Sequence, residues 1–166
     1  GGGAVGAALM RMALAARPLC RLGQEEWRFL TGPNLPQEER KALEAAAGPG
    51  VCIEPVRPDF PALLSQCRLS ISQGGYNTIL DVLGARAPAV IVPFASGGET
   101  EQTQRARLLA DAGLITLLEE PSADPQKLAQ AIDTSLSQPA GNAQLRMNGA
   151  TQTAQIIRTF HKGEMS

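Results

Sequence analysis

A basic excess is missing from this 166-residue chain: fifteen Lys and Arg oppose sixteen Asp and Glu, for a formal charge of −1. Without a positive field, neither nucleic acid nor an anionic bilayer would be held by counterion release. Aromatic residues are scarce at 4%, too few for a platform on which bases stack. Cysteine is limited to Cys20, Cys52 and Cys67, with no C-x-x-C pair, and His161 is the single histidine. That set excludes a disulfide scaffold and a Cys/His zinc site, and it suits a reducing cytosol. Long apolar runs are absent too. The stretch from Ala4 to Ala16 is cut by Arg11 and has no basic leader, so neither a membrane span nor a signal peptide is expected.

What remains is an ordinary globular composition. Hydrophobic residues make up 43% of the chain and charged residues 19%, enough apolar material for one domain with its own core. Seventeen glycines and twelve prolines are dispersed, without a repeat or a low-complexity block. The chain opens on Gly1-Gly2-Gly3 with no initiator Met and no strand ahead of that turn. The expectation is therefore the ordered part of something longer.

Residues Val5 to Leu19 predict a buried helix broken at Pro18, and Glu26 to Thr31 a strand closed by Gly32-Pro33-Asn34. A polar-faced helix follows from Gln37 to Ala47, then a short strand over Val51 to Ile53, then a short helix to Cys67 with Asp59 as its cap. Leu69 to Ser72 predicts a strand, Tyr76 to Ala85 a helix, and Ala89 to Pro93 an apolar run typical of a central parallel strand. Glu101 to Ala112 is helical, Leu114 to Leu118 a strand, and Asp124 to Leu136 and Ala143 to Phe160 the last helices. Regular alternation with short connections predicts an α/β fold: a Rossmann-like open parallel sheet with helices on both faces.

In such a sheet, ligands gather beyond the carboxyl ends of the strands, and three loops there are unusual. Gly1-Gly2-Gly3-Ala4-Val5-Gly6 fits G-x-G-x-x-G, which lets backbone amides at a helix start approach a phosphate. A dinucleotide site also needs an acidic residue at the end of the next strand. Thr31-Gly32 stands there instead, which disfavours NAD. The second loop, Ser72-Gln73-Gly74-Gly75-Tyr76-Asn77-Thr78, opens a helix with bare amides and small polar side chains. Asp81 lies one turn on, where a carboxylate can accept two hydrogen bonds from a ribose diol. The plain alternative is a well-capped helix with Asp81 in solvent.

The third loop, Pro93 to Gln102, brings Glu99, Glu101 and Gln102 to a helix start. The acids favour that end through the helix dipole. As ligand groups, Glu101 and Gln102 suit sugar hydroxyls and would repel a phosphate. Phosphate-friendly and hydroxyl-friendly loops together describe a nucleotide-sugar. Among other candidates, His161 near the C-terminus is read as solvated, Met10 and Met12 as core, and Arg105 and Arg107 as solvated or loop-facing. Tyr76 either packs over the phosphate loop or seals the helix start.

Gly74-Gly75-Tyr76-Asn77-Thr78 with Asp81, then Pro88 to Phe94, then Glu101-Gln102 and Arg105-Ala106, resembles the nucleotide-binding half of a GT-B glycosyltransferase. The resemblance is to MurG-like transferases, the glycosyltransferase family 28 C-terminal domain. The G-G-Y-N-T variant is similar to a group of predicted bacterial members. The resemblance spans nearly the whole chain and implies that residues 1–166 are a donor-binding domain. The N-terminal acceptor domain and the first strand would then lie outside it.

The resemblance implies that Gly1, Gly2, Gly3 and Ala4 face a diphosphate. Backbone at Val56 and Arg57 would meet the base, with Phe60 beside them. Gly74, Gly75, Tyr76, Asn77 and Thr78 would open the diphosphate-facing helix. Asp81 would hold the ribose hydroxyls where the family usually has Glu. Glu101 and Gln102 would recognise the donor sugar, and Phe94 stands where the nearest subgroup has Arg. The implied activity is metal-independent, inverting hexosyl transfer from a nucleotide diphosphate sugar, UDP-linked, with no cofactor. The catalytic base and acceptor site would come from the absent half, and this chain alone would turn over poorly. The implied setting is cytoplasmic, at the inner membrane face through the missing half. Rival readings are a UDP-sugar 2-epimerase of the same architecture and a noncatalytic or split-subunit module that needs a partner chain.

Overall fold

The computed structural model describes residues 3–94, 101–119 and 122–138. Helix α1 (Gly3–Ala16) runs into a 3-10 turn at Arg17–Leu19, where Pro18 supplies no backbone N–H. Then come β1 (Trp27–Thr31), α2 (Gln37–Ala46), β2 (Val51–Pro55), α3 (Phe60–Gln66) and β3 (Ser70–Ser72). They are followed by α4 (Tyr76–Ala85), β4 (Ala89–Ile91), α5 (Glu101–Asp111), β5 (Thr116–Leu117) and α6 (Pro125–Ser137). The expected alternation of strands and helices is present throughout the described residues. The expected helix over 143–160, with His161 beyond it, lies outside them.

All ladders are parallel. β1 pairs with β2, Phe29 opposite Ile53. β4 lies between β3 and β5, with Ile71 opposite Val90 and Ile91 opposite Leu117. Among the described residues no backbone pairing joins β1 to β3, so the strands form a two-stranded and a three-stranded segment. The segments nevertheless share a core. Phe29 of β1 clusters with Val90 and Val92, with Ala13 and Ala16 of α1, and with Leu128 and Ile132 of α6.

β4 shows why the sheet is covered on both faces. Val90 and Val92 enter the α1–α6 core, whereas Ala89 and Ile91 enter a second core with Leu64 of α3, Ile79 and Val82 of α4, and Ala106 and Leu109 of α5. Side chains alternate across a strand, so a doubly covered strand must be apolar at every position. On α1, the fully buried positions Ala7 and Ala16 are small, which lets neighbouring backbones approach closely.

The structure sharpens several boundaries. β4 ends at Ile91, although the Val92 N–H still donates to Ser72 O at 2.8 Å; Pro93, without an N–H, stops the ladder. β2 extends to Pro55, beyond the expected Ile53. Asp124 caps α6 as expected, its Oδ1 accepting the Lys127 N–H at 2.8 Å. Asp59 precedes α3 but makes no side-chain cap bond. Its carboxylate accepts from Arg57 instead, Nε at 2.8 Å and Nη2 at 2.7 Å, because a bidentate guanidinium outcompetes a neutral amide. At the start of β1, Trp27 stacks on Phe29 with ring centroids 6.2 Å apart and donates its indole N–H to Leu22 O at 2.9 Å.

Candidate functional site

The turn between β3 and α4 contains two glycines with different reasons to exist. Gly74 has φ +74°, and a Cβ there would lie 2.6 Å from Ile91 Cγ2. The fold itself requires that glycine. Gly75 has φ −57° and ψ 149°, an ordinary conformation, and a Cβ there would meet nothing within 4 Å among the described residues. Neither backbone strain nor a neighbour among them demands its bareness. Among those residues it leaves open space against the first turn of α4.

That turn is chemically unfinished. The first bond of α4 runs from Ile79 N–H to Gly75 O at 2.9 Å, and no side chain caps the helix. The N–H groups of Asn77 and Thr78 have no acceptor among the described residues. Unsatisfied amides and the positive end of the helix dipole make a place for an anion. Asp81 is half-buried, four residues after Asn77 and three after Thr78, on the same side of α4. It has no hydrogen bond or ion pair among the described residues. A carboxylate at this position is free to accept bonds from a diol.

α5 meets this turn at Arg105. Arg105 is a buried cation, 9% exposed, and its Cζ stands 5.2 Å from the centroid of the Tyr76 ring, within cation–π range. Of the two expected placements of Arg105, solvated or loop-facing, the solvated one is corrected here. Gln102, Arg105, Ala106 and Leu109 form one helical stripe, and Ala106 and Leu109 are fully buried. The phase of that stripe was the available sequence signal; the partner ring, 29 positions earlier, was not visible in it. Arg107 grips Glu119 through two hydrogen bonds of 2.9 and 3.0 Å. Gln102 is half-buried one turn before Arg105, and Glu101 is the first residue of α5. Tyr76 therefore takes part in packing at the α4 start, with α5 as its neighbour.

The turn after β2 is a separate element. Val56 is 54% exposed, and its N–H already donates to Thr31 O at 3.0 Å. The Arg57 carbonyl accepts from Phe60 N–H at 3.2 Å, and its guanidinium is bound by Asp59 with Glu54 nearby. Asp59 holds the Arg57 pKa above its ordinary value, and Arg57 in turn lowers that of Asp59. Among the described residues the Val56 carbonyl, the Arg57 N–H and the exposed Val56 side chain are left for a ligand. Phe60 packs against the core that Leu64 of α3 forms with Ile79 and Val82 of α4, so this turn feeds a helix packed beside α4. Gly3 and Ala4 are the first residues of α1. Gly1 and Gly2 lie outside the described residues, as do Glu99 and the side chain of Glu101. The structure thus brings Tyr76 and α5 together and places Asn77, Thr78 and Asp81 on one helix.

Among the described residues no group of three His, Cys, Asp or Glu side chains is placed to hold a metal ion. Burial raises the thiol pKa of Cys20 and Cys67, which leaves them poor nucleophiles. No helix among the described residues is long and apolar enough to cross a membrane.

Residues 1–160 match the model of the glycosyltransferase family 28 C-terminal domain. A UDP-N-acetylglucosamine--N-acetylmuramyl-(pentapeptide) pyrophosphoryl-undecaprenol N-acetylglucosamine transferase of Xanthomonas axonopodis pv. citri (strain 306) is 32% identical over 154 residues, covering 92% of this chain and 35% of that protein. A transferase of the same name from Lactiplantibacillus plantarum is 30% identical over 134 residues, covering 80% of this chain and 37% of its own length. The chain thus spans about a third of the relatives it matches. Among solved structures, the calicheamicin glycosyltransferase superposes with a TM-score of 0.65 at 18% identity, over 94% of this chain and 37% of that one. A glycosyltransferase solved with dTDP superposes at 0.60 with 17% identity, over 91% and 37%. The shared architecture is that of GT-B glycosyltransferases.

Proposed function

Because this chain belongs to the glycosyltransferase family 28 C-terminal domain, we propose that it is the donor-binding half of a transferase that uses a nucleotide diphosphate sugar, UDP-linked. The observation that carries the reading is the start of α4. Among the described residues Gly75 has open space where a side chain would be, the Asn77 and Thr78 amides lack acceptors, and Asp81 stands one turn on without a partner. A diphosphate suits the amides and a ribose diol suits the carboxylate. Glu101 and Gln102 at the start of α5 suit sugar hydroxyls, and the Val56–Arg57 backbone suits a base edge. Gly3 and Ala4, which open α1, offer a second set of amides to the diphosphate, with Gly1 and Gly2 ahead of them in sequence. The relatives are named for a UDP-sugar, which supports the choice of nucleotide.

The mechanism that follows is inverting displacement. An acceptor hydroxyl, bound and deprotonated by groups outside this chain, attacks the anomeric carbon as its bond to the diphosphate oxygen breaks. The helix-start amides meet the charge that develops on the leaving diphosphate, without requiring a metal. The chain belongs with an N-terminal domain or a partner subunit that brings the acceptor, in the cytoplasm at the inner membrane face. The separation of β1 from β3 supports this division. In the doubly wound order, the strand before the first helix lies between the second and fourth strands, the place between these two segments.

Calorimetry of the folded protein with UDP and UDP-N-acetylglucosamine, with and without EDTA, tests the reading. Binding that EDTA leaves intact is expected. A folded sample that binds neither nucleotide overturns it.

A further inference from the structure

We propose that Arg105 is a positioning residue of the donor site, holding the sugar-facing start of α5 against the diphosphate-facing start of α4 through the Tyr76 ring. The inference rests on the donor-site reading above and adds a residue to which that reading gives no role.

Three observations carry it. A buried arginine is unusual, because removing a cation from water is costly unless something compensates; Arg105 is 9% exposed and lies over an aromatic face at 5.2 Å. The ring belongs to Tyr76, the first residue of α4 and the immediate neighbour of Gly75 and Asn77. Finally, Arg105 lies four residues after Glu101 and three after Gln102, one turn along the same side of α5. At the helix starts, above the core that Ile79 and Val82 share with Ala106 and Leu109, this contact links the residue beside the bare amides to the turn that carries the acid-amide pair. Loosening it would let α5 shift relative to α4. Ligands that touch both helix starts would feel that shift, while ligands that touch α4 alone would not. The contact therefore governs preference for the sugar-bearing nucleotide over the bare one.

The test is a comparison of UDP-N-acetylglucosamine and UDP binding by calorimetry, with melting temperature read in parallel. Arg105→Leu and Tyr76→Leu are each expected to lower the ratio of the two affinities about fivefold, the size of a partly shielded cation–π contact. The double variant is expected to lose less than the sum of the two single ones, since both remove the shared contact. Tyr76→Phe keeps the ring face and is expected to restore the ratio that Tyr76→Leu loses. Should Arg105→Leu fail to fold, the Tyr76→Leu and Tyr76→Phe pair decides alone. Variants that melt earlier but keep the parent ratio would show a merely structural contact and overturn the proposal. A parent protein that binds neither nucleotide would instead overturn the donor-site reading, and this inference with it.

Discussion

Arg107 on α5 and Glu119 beyond β5 meet in a fork, Nε to Oε1 at 2.9 Å and Nη2 to Oε2 at 3.0 Å. The pair fastens the segment after β5 to the helix that carries Glu101 and Gln102. Hydrogen bonding from Arg107 holds the Glu119 carboxyl below its ordinary value of 4.5. A carboxylate with a depressed folded pKa contributes its stability above the unfolded value and loses it as pH falls through the folded one. Part of the acid destabilisation of this protein should therefore begin below about pH 4.5. Glu119→Gln should flatten that part of the curve of melting temperature against pH. An unchanged curve would remove Glu119 from the acid response.

The two glycines of the α4 turn should separate folding from binding. Gly74→Ala forces a Cβ onto Ile91 Cγ2 at a positive φ, and a loss of about 2–4 kcal/mol in chemical denaturation is expected. Gly75→Ala meets no atom of the described residues, so its stability should change by less than about 0.5 kcal/mol. Its methyl group would occupy the open space at the α4 start, and UDP affinity should fall. Equal effects of the two substitutions on denaturation would contradict the difference in their surroundings.

Asp81 has no partner among the described residues, so replacing it should cost the fold little. Asp81→Ala is expected to weaken UDP binding by about 1–3 kcal/mol through lost hydrogen bonds to a charged group. Deoxyuridine diphosphate, which lacks one ribose hydroxyl, should lose less in the variant than UDP does. Identical losses for the two nucleotides would place Asp81 away from the ribose.

Asp124 offers a purely structural control. Its Oδ1 accepts the Lys127 N–H at the start of α6, and Leu128, Ala129 and Ile132 of that helix lie in the core. Asp124→Ala should cost about 0.5–2 kcal/mol, the usual worth of an N-cap, with the ratio of UDP-sugar to UDP affinity untouched. A changed ratio would mean that α6 communicates with the donor site.

The strands were legible because their apolar runs are short, bounded by Gly or Pro, and separated by helical patterns. Ala89 to Val92 shows this best: it is apolar throughout because helices cover it from both sides. The Tyr76–Ala85 helix was readable to the residue, since Gly75 and Arg86 bound it and Arg86 closes it in a left-handed turn at φ 54°. Two features were not readable. Asp59 looked like a cap, and the nearby Arg57 competed for its oxygens. Arg105 looked solvated because charge normally is, and the Tyr76 ring it lies over comes from another helix, 29 positions earlier. The division of the strands into two paired segments was also hidden, because register and adjacency depend on partners distant in sequence.

Trp27, the chain's single tryptophan, sits half-buried at the start of β1, hydrogen-bonded to Leu22 and stacked on Phe29. It is a built-in optical reporter, placed on the strand whose neighbour on one side is β2. Its emission colour and quenching by iodide can follow changes in the packing around β1, without a dye and without catalysis as the readout.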